Sequence, residues 1–183
     1  IIWLIKGEKM DNIINGIKSV EADGTKTWRL NGELHRTDGP AFESANGDKE
    51  WWLNDKLHRT DGPAVEYANG TKEWCKDGKR HRTDGPAVEY ADGSKAWWLN
   101  GELHRTDGPA YEGSDGTKAW WLNGKYHRID GPAVERADGT KEWYIEGKDI
   151  TEEVEKEIEE GRLSSDYENW TVDEKLLFKL TFC

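Results

Sequence analysis

The residues of this sequence whose types suggest chemistry lie in five copies of a His-Arg-x-Asp string. The string H-R-T-D-G-P-A begins at His35, His58, His81 and His104, and it recurs as H-R-I-D-G-P-A at His127. Histidine and aspartate bind metals and transfer protons, and arginine binds phosphate. A catalytic site is normally single, whereas this string returns every 23 residues. We therefore expect a structural role before a repeated ligand contact, and either of these before metal binding or catalysis.

That structural role can be stated for each residue of the string. Histidine can bridge backbone groups of neighbouring repeats, and aspartate can cap its own turn. Arginine can lay its stem over an indole or pair with an aspartate of the next repeat. The arginines concerned are Arg36, Arg59, Arg82, Arg105 and Arg128. The sequence has no phosphate loop, nucleophile elbow, zinc spacing or dinucleotide fingerprint, so we expect no enzyme, cofactor or metal.

Two rows of aromatic residues follow the same period. The first row is Trp in every repeat and consists of Trp28, Trp51, Trp74, Trp97, Trp120 and Trp143. The next position varies and includes Trp52, Cys75, Trp98, Trp121 and Tyr144. Neighbouring residues of a strand point to opposite faces of a sheet. We therefore expect the fixed row on the buried face and the variable row on a more exposed face, which is either a binding surface or only a packing layer.

The segments between the strings have the pattern of hairpins. In residues 62–84, Pro63 opens a short strand, Asn69-Gly70 forms a turn of type I′, and residues 72–76 return. Asp77-Gly78 forms a second turn, and the following segment leads into the next repeat. Two strands in each repeat predict an antiparallel meander. A fixed period of this length is typical of repeat arrays, in which each unit buries its apolar face against its neighbours.

The repeat resembles the MORN family. The resemblance covers roughly residues 15–148 and rests on Trp97, Asn100, Gly101, His104, Gly108, Asp115, Gly116 and their copies. Arg105 replaces the family's glycine after the histidine, and Trp-Trp replaces its Y-E-G motif. The resemblance implies a mainly β fold, an elongated and twisted antiparallel sheet. It also implies protein–protein scaffolding, dimerisation and, in some members, lipid contact.

The two ends depart from the repeat. Residues 1–21 are interpreted as a degenerate N-terminal cap, 22–148 as the array, and 149–183 as an acidic, helical C-terminal cap. Thr151 is expected to cap a helix over 152–160 that ends at Gly161, and Thr171 to Glu174 form a capping box. Val154, Ile158, Leu176, Leu177, Phe178 and Leu180 are expected to cover the end of the array.

Charge and cysteine content narrow the possible functions. Residues 149–183 carry −7 of the net −11, so coating of DNA, RNA or an anionic membrane is not expected. Two cysteines give no disulfide framework, and Ile1–Ile5 lack the basic region of a signal peptide, which predicts a cytoplasmic protein.

Two functions remain, and both use the repeated aromatic and charged residues. The first is a non-enzymatic module that binds or scaffolds proteins through the variable row, with a homodimer possible at the open edges. The alternative is a nucleotide-like ligand held between Trp and the five arginines, as some viral immune antagonists sequester nucleotide signals, in which case the compartment is the host cytoplasm. Sugar binding on the variable row is a weaker third interpretation.

Overall fold

The structure, a computed structural model, describes residues 16–183 and consists mainly of β-strands. The described residues up to Ala91 form one compact unit, and Asp92–Cys183 form another. The predicted fold class, an antiparallel meander with C-terminal helices, is confirmed. Residues 1–15 of the proposed N-terminal cap lie outside the described residues.

The first unit contains twelve strands, most of them two residues long. They are β1 (Ile17–Val20), β2 (Lys26–Leu30), β3 (Glu33–Leu34), β4 (Phe42–Glu43), β5 (Lys49–Glu50), β6 (Trp52–Leu53), β7 (Lys56–Leu57), β8 (Val65–Glu66), β9 (Lys72–Glu73), β10 (Cys75–Lys76), β11 (Lys79–Arg80) and β12 (Val88–Glu89). The meander runs in the order β1-β2-β4-β5-β8-β9-β12, with β3 paired to β2.

The second unit repeats this arrangement and ends in helices. Its strands are β13 (Lys95–Ala96), β14 (Trp98–Leu99), β15 (Glu102–Leu103), β16 (Tyr111–Glu112), β17 (Lys118–Ala119), β18 (Trp121–Leu122), β19 (Lys125–Tyr126), β20 (Val134–Glu135), β21 (Lys141–Glu142), β22 (Tyr144–Ile145) and β23 (Lys148–Asp149). The meander order is β13-β16-β17-β20-β21. Helix α1 (Thr151–Glu159), a 3₁₀ turn (Tyr167–Asn169) and helix α2 (Val172–Phe182) follow.

Each full repeat forms two hairpins where the sequence analysis predicts one. The returning strand over residues 72–76 is divided at Trp74, and its second half pairs with β11 to form a side hairpin. The N–H of Trp74 donates to the Ala87 carbonyl in the meander (2.8 Å). Its carbonyl accepts from the His81 N–H on the other side (2.9 Å). The fixed Trp is therefore the corner between the two hairpins, and alternation of residue types does not reveal such a change of pairing partner.

The two turns of a repeat have different geometries. Asp77 and Gly78 both have positive φ (52° and 81°), as a type I′ turn requires. At the other turn only Gly70 has positive φ (95°), so the type I′ geometry predicted for Asn69-Gly70 is wrong. The Asn69 side chain accepts the Thr71 N–H at 2.9 Å, which stabilises a turn that ends in a left-handed glycine.

The buried layer of the repeats consists of alanine and valine. Five equivalent alanines have no solvent exposure, and valines beside three of them are nearly as buried; these residues are Ala41, Ala64, Val65, Ala87, Val88, Ala110, Ala133 and Val134. The fixed Trp row is half-buried as far as Trp120, and only Trp143 is fully buried. The variable residues Trp52, Trp98, Trp121 and Tyr144 are also half-buried. The expected contrast between a buried and an exposed row is therefore not present.

The C-terminal segment packs an aromatic core onto the last repeat. The core consists of Trp143, Ile150, Val154, Leu163, Tyr167, Trp170 and Phe178, with Ile158 and Leu177 against it. Leu176 and Leu180, also expected in this core, are exposed by 53% and 78%, because they lie on the outer side of α2. The segment contacts Trp143 of the fixed row.

The residues that begin and end the helices agree only in part with the predicted capping residues. The capping box of Thr171 and Glu174 is confirmed, and Gly161 ends α1 with a φ of 72°. Thr151 is the first residue of α1 and does not cap it. Its hydroxyl accepts the Trp143 N–H (2.9 Å), and the Asp149 carboxylate accepts the Thr151 N–H (2.9 Å).

Candidate functional site: grooves between the repeated loops

Successive copies of the His-Arg-x-Asp-Gly-Pro loop enclose similar grooves. We name each groove after the fixed Trp that lines it. The Trp51 groove (about 630 Å³) and the Trp74 groove (about 530 Å³) lie side by side in the first unit and share Arg59, Thr60 and Asp61. The Trp120 groove (about 610 Å³) lies in the second unit. Each is lined by one Trp, one His and the Arg-x-Asp segments of two loops.

The loop arginine of each repeat covers the fixed Trp. The guanidinium carbon of Arg59 lies 4.0 Å from the centre of the Trp51 ring. The same contact joins Arg36 to Trp28, Arg82 to Trp74, Arg105 to Trp97 and Arg128 to Trp120, at 3.8 to 4.1 Å. This is cation–π geometry, and it removes one face of each of these indoles from solvent. The fixed row is therefore not an open aromatic surface.

The same guanidinium is also held by two carboxylates. Arg59 donates from Nε to Asp61 (2.8 Å) and from Nη1 to the Pro63 carbonyl (3.1 Å) and to Glu66 (3.0 Å). Arg82, Arg105 and Arg128 repeat the three contacts. The aspartate belongs to the arginine's own loop, whereas the sequence analysis named an aspartate of the neighbouring repeat. Each arginine thus faces two negative charges.

The charge exposed at the rim of the grooves is that of carboxylates. The loop arginine side chains are exposed by only 17 to 22%, whereas Asp61, Asp84 and Asp107 are each exposed by 81%. A hydrogen bond from its arginine lowers the pKa of each of these three aspartates below the ordinary value. These carboxylates are therefore charged at neutral pH, and a ligand approaching a groove meets negative charge first.

The loop histidines lie against the side hairpin of the next repeat. Nδ1 of His58 is 3.0 Å from the Asp77 carboxylate and accepts the Asp77 N–H at 3.2 Å. His35 and Asn54 make the same pair of contacts, as do His104 and Asn123, and His127 accepts the Glu146 N–H at 3.1 Å. His81 lines the Trp74 groove. These contacts join consecutive repeats and occupy Nδ1.

The variable row lies outside the three grooves. Trp52 donates from Nε1 to Glu50 at 2.7 Å, and the Trp121 ring is 3.8 Å from that of Tyr126, which in turn is 5.0 Å from Tyr144. Burial raises the pKa of Tyr144 to about 12, with hydrogen bonding to Asp149 as the second cause. The half-buried Trp52, Trp98, Trp121 and Tyr144 are thus not part of the groove lining.

The sequence analysis missed two features, one at the groove arginines and one in a side hairpin outside the grooves. The first is the second carboxylate of each arginine, contributed by Glu43, Glu66, Glu89, Glu112 and Glu135. These glutamates recur with the repeat and follow each arginine by seven residues, so the signal was in the sequence. The second is Tyr126, which sits opposite Trp121 in a side hairpin. The sequence analysis did not place Tyr126 opposite Trp121, because it did not predict the side hairpins.

Three further properties of residues 16–183 concern metal binding, membrane crossing and the Cys75 thiol. In residues 16–183 no cluster of three or more His, Cys, Asp or Glu side chains is arranged to hold a metal ion. No helix in this range has the length and apolar character needed to cross a membrane. Burial raises the pKa of the Cys75 thiol to about 11, which keeps it protonated and unreactive. Comparison of the chain with protein-family models and with curated proteins found no match.

Proposed function

We propose that this chain is a non-enzymatic repeat module that binds a protein partner through its loop grooves. The observation that carries the proposal is the recurrence of one groove, with one Trp, one His and two Arg-x-Asp segments, in the Trp51, Trp74 and Trp120 positions. Equivalent sites in series suit a repetitive partner, whereas an enzyme needs one asymmetric site. The proposal agrees with the resemblance to MORN-type repeats and with their association with protein scaffolding.

The proposal moves the contact surface from the variable row to the grooves. Trp52 and Trp121 are half-buried and already contact Glu50 and Tyr126. The loop residues Thr60, Asp61, Thr83 and Asp84 are exposed at the rims. Exposed polar groups around a Trp-lined depression resemble the rim and centre of protein interfaces.

The nucleotide-binding alternative has one observation in its favour and one against it. Trp and Arg lie together in grooves of 530 to 630 Å³, within the range of small-molecule pockets. The guanidinium, however, is stacked on the indole and shared between two carboxylates. A phosphate has to displace these carboxylates and approach an exposed aspartate. Protein binding is therefore the better-supported function.

A groove-filling substitution tests the proposal. Thr60 is exposed and lines both the Trp51 and Trp74 grooves, so Thr60→Tyr obstructs them at their shared loop without removing an arginine contact. We expect a partner retained by the wild-type chain to be lost by Thr60→Tyr and kept by Lys72→Tyr, an exposed sheet residue outside the grooves. The partner is identified by quantitative mass spectrometry and its binding repeated with purified proteins.

Two further variants distinguish the grooves from the variable row, and a protein partner from a nucleotide ligand. Loss of the partner with a folded Trp98→Ala chain, but not with Thr60→Tyr, would return the contact surface to the variable row. A melting temperature raised by members of a nucleotide panel, with the shift abolished by Arg105→Ala, would support the nucleotide alternative and contradict ours. Thermal melting without ligand checks that each variant is folded.

A further inference from the structure

We propose that the adjacent Trp51 and Trp74 grooves bind one proline-rich segment of the partner in the polyproline II conformation, with Lys or Arg side chains three residues apart entering successive grooves. The inference rests on the proposed function, since it names the partner for the same grooves. Three observations carry it: the spacing of the grooves, the charge at their rims and the apolar surface between the rims.

The spacing of the grooves follows from the order of strands. Trp51 follows β5 and Trp74 follows β9, and the sheet order β5-β8-β9 places these two strands two positions apart. Neighbouring strands are about 4.8 Å apart, so equivalent points of the two grooves are about 9.6 Å apart. A polyproline II helix has three residues per turn and rises about 3.1 Å per residue, so residues i and i+3 point the same way about 9.3 Å apart.

Other peptide conformations fit this spacing less well. In an extended strand, residues on one face are about 6.8 Å or about 13.6 Å apart, and neither distance matches successive grooves. An α-helix places i and i+7 about 10.5 Å apart, but its diameter of about 10 Å holds the backbone further from the groove floors. The polyproline II conformation combines a three-residue repeat that matches the groove spacing with a thin backbone. The α-helix is the competing conformation, and a helical peptide serves as the comparison.

The rims favour a cationic side chain. Asp38, Asp61 and Asp84 are exposed by 58 to 81% around the two grooves, while Arg36, Arg59 and Arg82 are exposed by only 20 to 22%. Each of these arginines faces a second carboxylate, from Glu43, Glu66 or Glu89, so each cluster of one Arg, one Asp and one Glu carries one net negative charge, although Glu43 also pairs with Lys26 at 2.9 Å. Lys76 also lines the Trp74 groove, so the Trp51 groove is the more acidic of the two.

The surface between the rims suits the apolar part of a long basic side chain. Trp51, Leu53 and Pro40 line the first groove together with the loop aspartates. Lysine and arginine bury their methylene stems against such surface while the charged end stays at the rim. A proline-rich segment is already ordered in polyproline II, so little conformational entropy is lost when it binds.

Synthetic peptides of one composition test the spacing directly. Fluorescently labelled peptides with a Lys-Pro-Pro repeat are compared, by fluorescence anisotropy, with isomers that hold the same lysines and prolines in shuffled order. We expect the Lys-Pro-Pro peptide to bind at least about tenfold more tightly, because only it engages both grooves at once. A Glu-Pro-Pro peptide is expected not to bind, and added salt is expected to weaken the interaction.

Matched variants of the protein locate the contact. Asp61 lines both grooves, and Asp61→Asn removes its charge but keeps an oxygen for the Arg59 N–H. We expect Asp61→Asn and Thr60→Tyr to weaken binding of the Lys-Pro-Pro peptide severalfold. Asp115→Asn makes the same charge change in an exposed turn outside the grooves and is expected to leave binding unchanged.

The outcomes distinguish the inference from the proposed function. Equal binding of shuffled isomers, or tighter binding of a helical peptide with lysines at i and i+7, would overturn the polyproline II inference. The function would survive in either case if Thr60→Tyr still abolishes binding of the protein partner. If no peptide binds and no partner depends on the grooves, both proposals fail.

Discussion

Trp120 and Trp143 occupy the same position in successive repeats, yet their rings have different cover. The guanidinium of Arg128 lies 3.8 Å from the centre of the Trp120 ring, and Trp120 stays half-buried. Thr151 stands where the next repeat would have its arginine, and the ring beside Trp143 is Trp170, at 5.3 Å and nearly parallel. Trp143 is exposed by only 4%.

This contrast shows two ways of stabilising the same hairpin. Inside the array, the indole is covered by a charged group that is itself held by two carboxylates, so neighbouring repeats need only a thin layer of alanine and valine. At the end of the array, no further repeat follows, and the C-terminal segment buries the indole in an aromatic core. Terminal repeats of an array need such a cover.

Replacing each of the two tryptophans by alanine is expected to give the largest changes in stability. Trp143→Ala removes the centre of a buried cluster and is expected to lower the free energy of unfolding by about 3–5 kcal/mol. Trp120→Ala removes a half-buried ring under a guanidinium, so we expect a smaller loss of about 1–3 kcal/mol. Chemical denaturation followed by circular dichroism gives both values.

Limited proteolysis shows which segments each of these two variants destabilises. We expect residues of α1 and α2 to become sensitive in Trp143→Ala, because the cluster ties them to the last repeat. The same helices should stay protected in Trp120→Ala. A larger loss of stability in Trp120→Ala than in Trp143→Ala would contradict the distinction between the array and its end.

Neutralising a loop arginine is the next largest expected effect. Arg105→Gln removes the stack on Trp97 and the pairs with Asp107 and Glu112, with an expected loss of about 1–2 kcal/mol. Arg162→Gln is the control in the C-terminal segment, where the arginine lies just beyond α1 and pairs with Glu157 of that helix and with Glu160. Exposed pairs of this kind contribute about 0–1 kcal/mol.

The pH dependence of this pair of variants adds a second readout. Arg105 lowers the pKa of the Asp107 carboxyl in the folded state, so its contribution is present above the unfolded pKa and is lost as the pH falls. The stability difference between wild type and Arg105→Gln should therefore shrink on acidification. In Arg105→Gln the pKa of Asp107, followed by NMR, should rise toward its ordinary value. A difference that grows on acidification would contradict this account.

The cap of α2 is expected to have a smaller effect. The Thr171 hydroxyl accepts the Glu174 N–H, and the Glu174 carboxylate accepts the Thr171 N–H. Thr171→Ala removes half of this box and should cost about 1 kcal/mol in chemical denaturation. Thr181→Ala, near the other end of the same helix, is the control and should change stability by a few tenths of a kcal/mol at most. Equal losses would show that the box does not stabilise α2.

The sequence predicted those features that depend on local chemistry and on the period. The antiparallel meander, the capping box of Thr171 and the glycine end of α1 at Gly161 were predicted because each depends on a few residues in sequence. The glutamates that bind the loop arginines carry the same periodic signal, and they were missed because only the His-Arg-x-Asp string was considered.

The other features that were missed depend on contacts between segments. Trp74 divides its strand because the two sides of its peptide group bond to different segments, and no residue type in the strand signals this. Leu176 and Leu180 are apolar but lie on the outer side of α2, since Phe178 is the residue that faces Trp143 and Trp170. The burial of each Trp depends on its partner, which sequence alternation does not specify.

The smallest expected effect is a gain of stability where the last repeat departs from the others. Glu146 has a φ of 52°, while Asn123, its equivalent one repeat earlier, has a φ of 49°. Asparagine adopts this left-handed conformation more readily than glutamate, so Glu146→Asn should raise the free energy of unfolding by about 0.5–1 kcal/mol.

The reciprocal variant makes this last test decisive. The Glu146 N–H donates to His127 Nδ1, as the Asn123 N–H donates to His104 Nδ1, and the Asn123 side chain also lies 2.8 Å from that nitrogen. Asn123→Glu loses both that contact and the backbone preference, so it should destabilise by at least as much as Glu146→Asn stabilises. If neither variant changes the denaturation midpoint, the side chain at this turn position adds nothing to the backbone N–H that donates to the histidine, and that backbone contact alone joins the histidine to the turn of the next repeat.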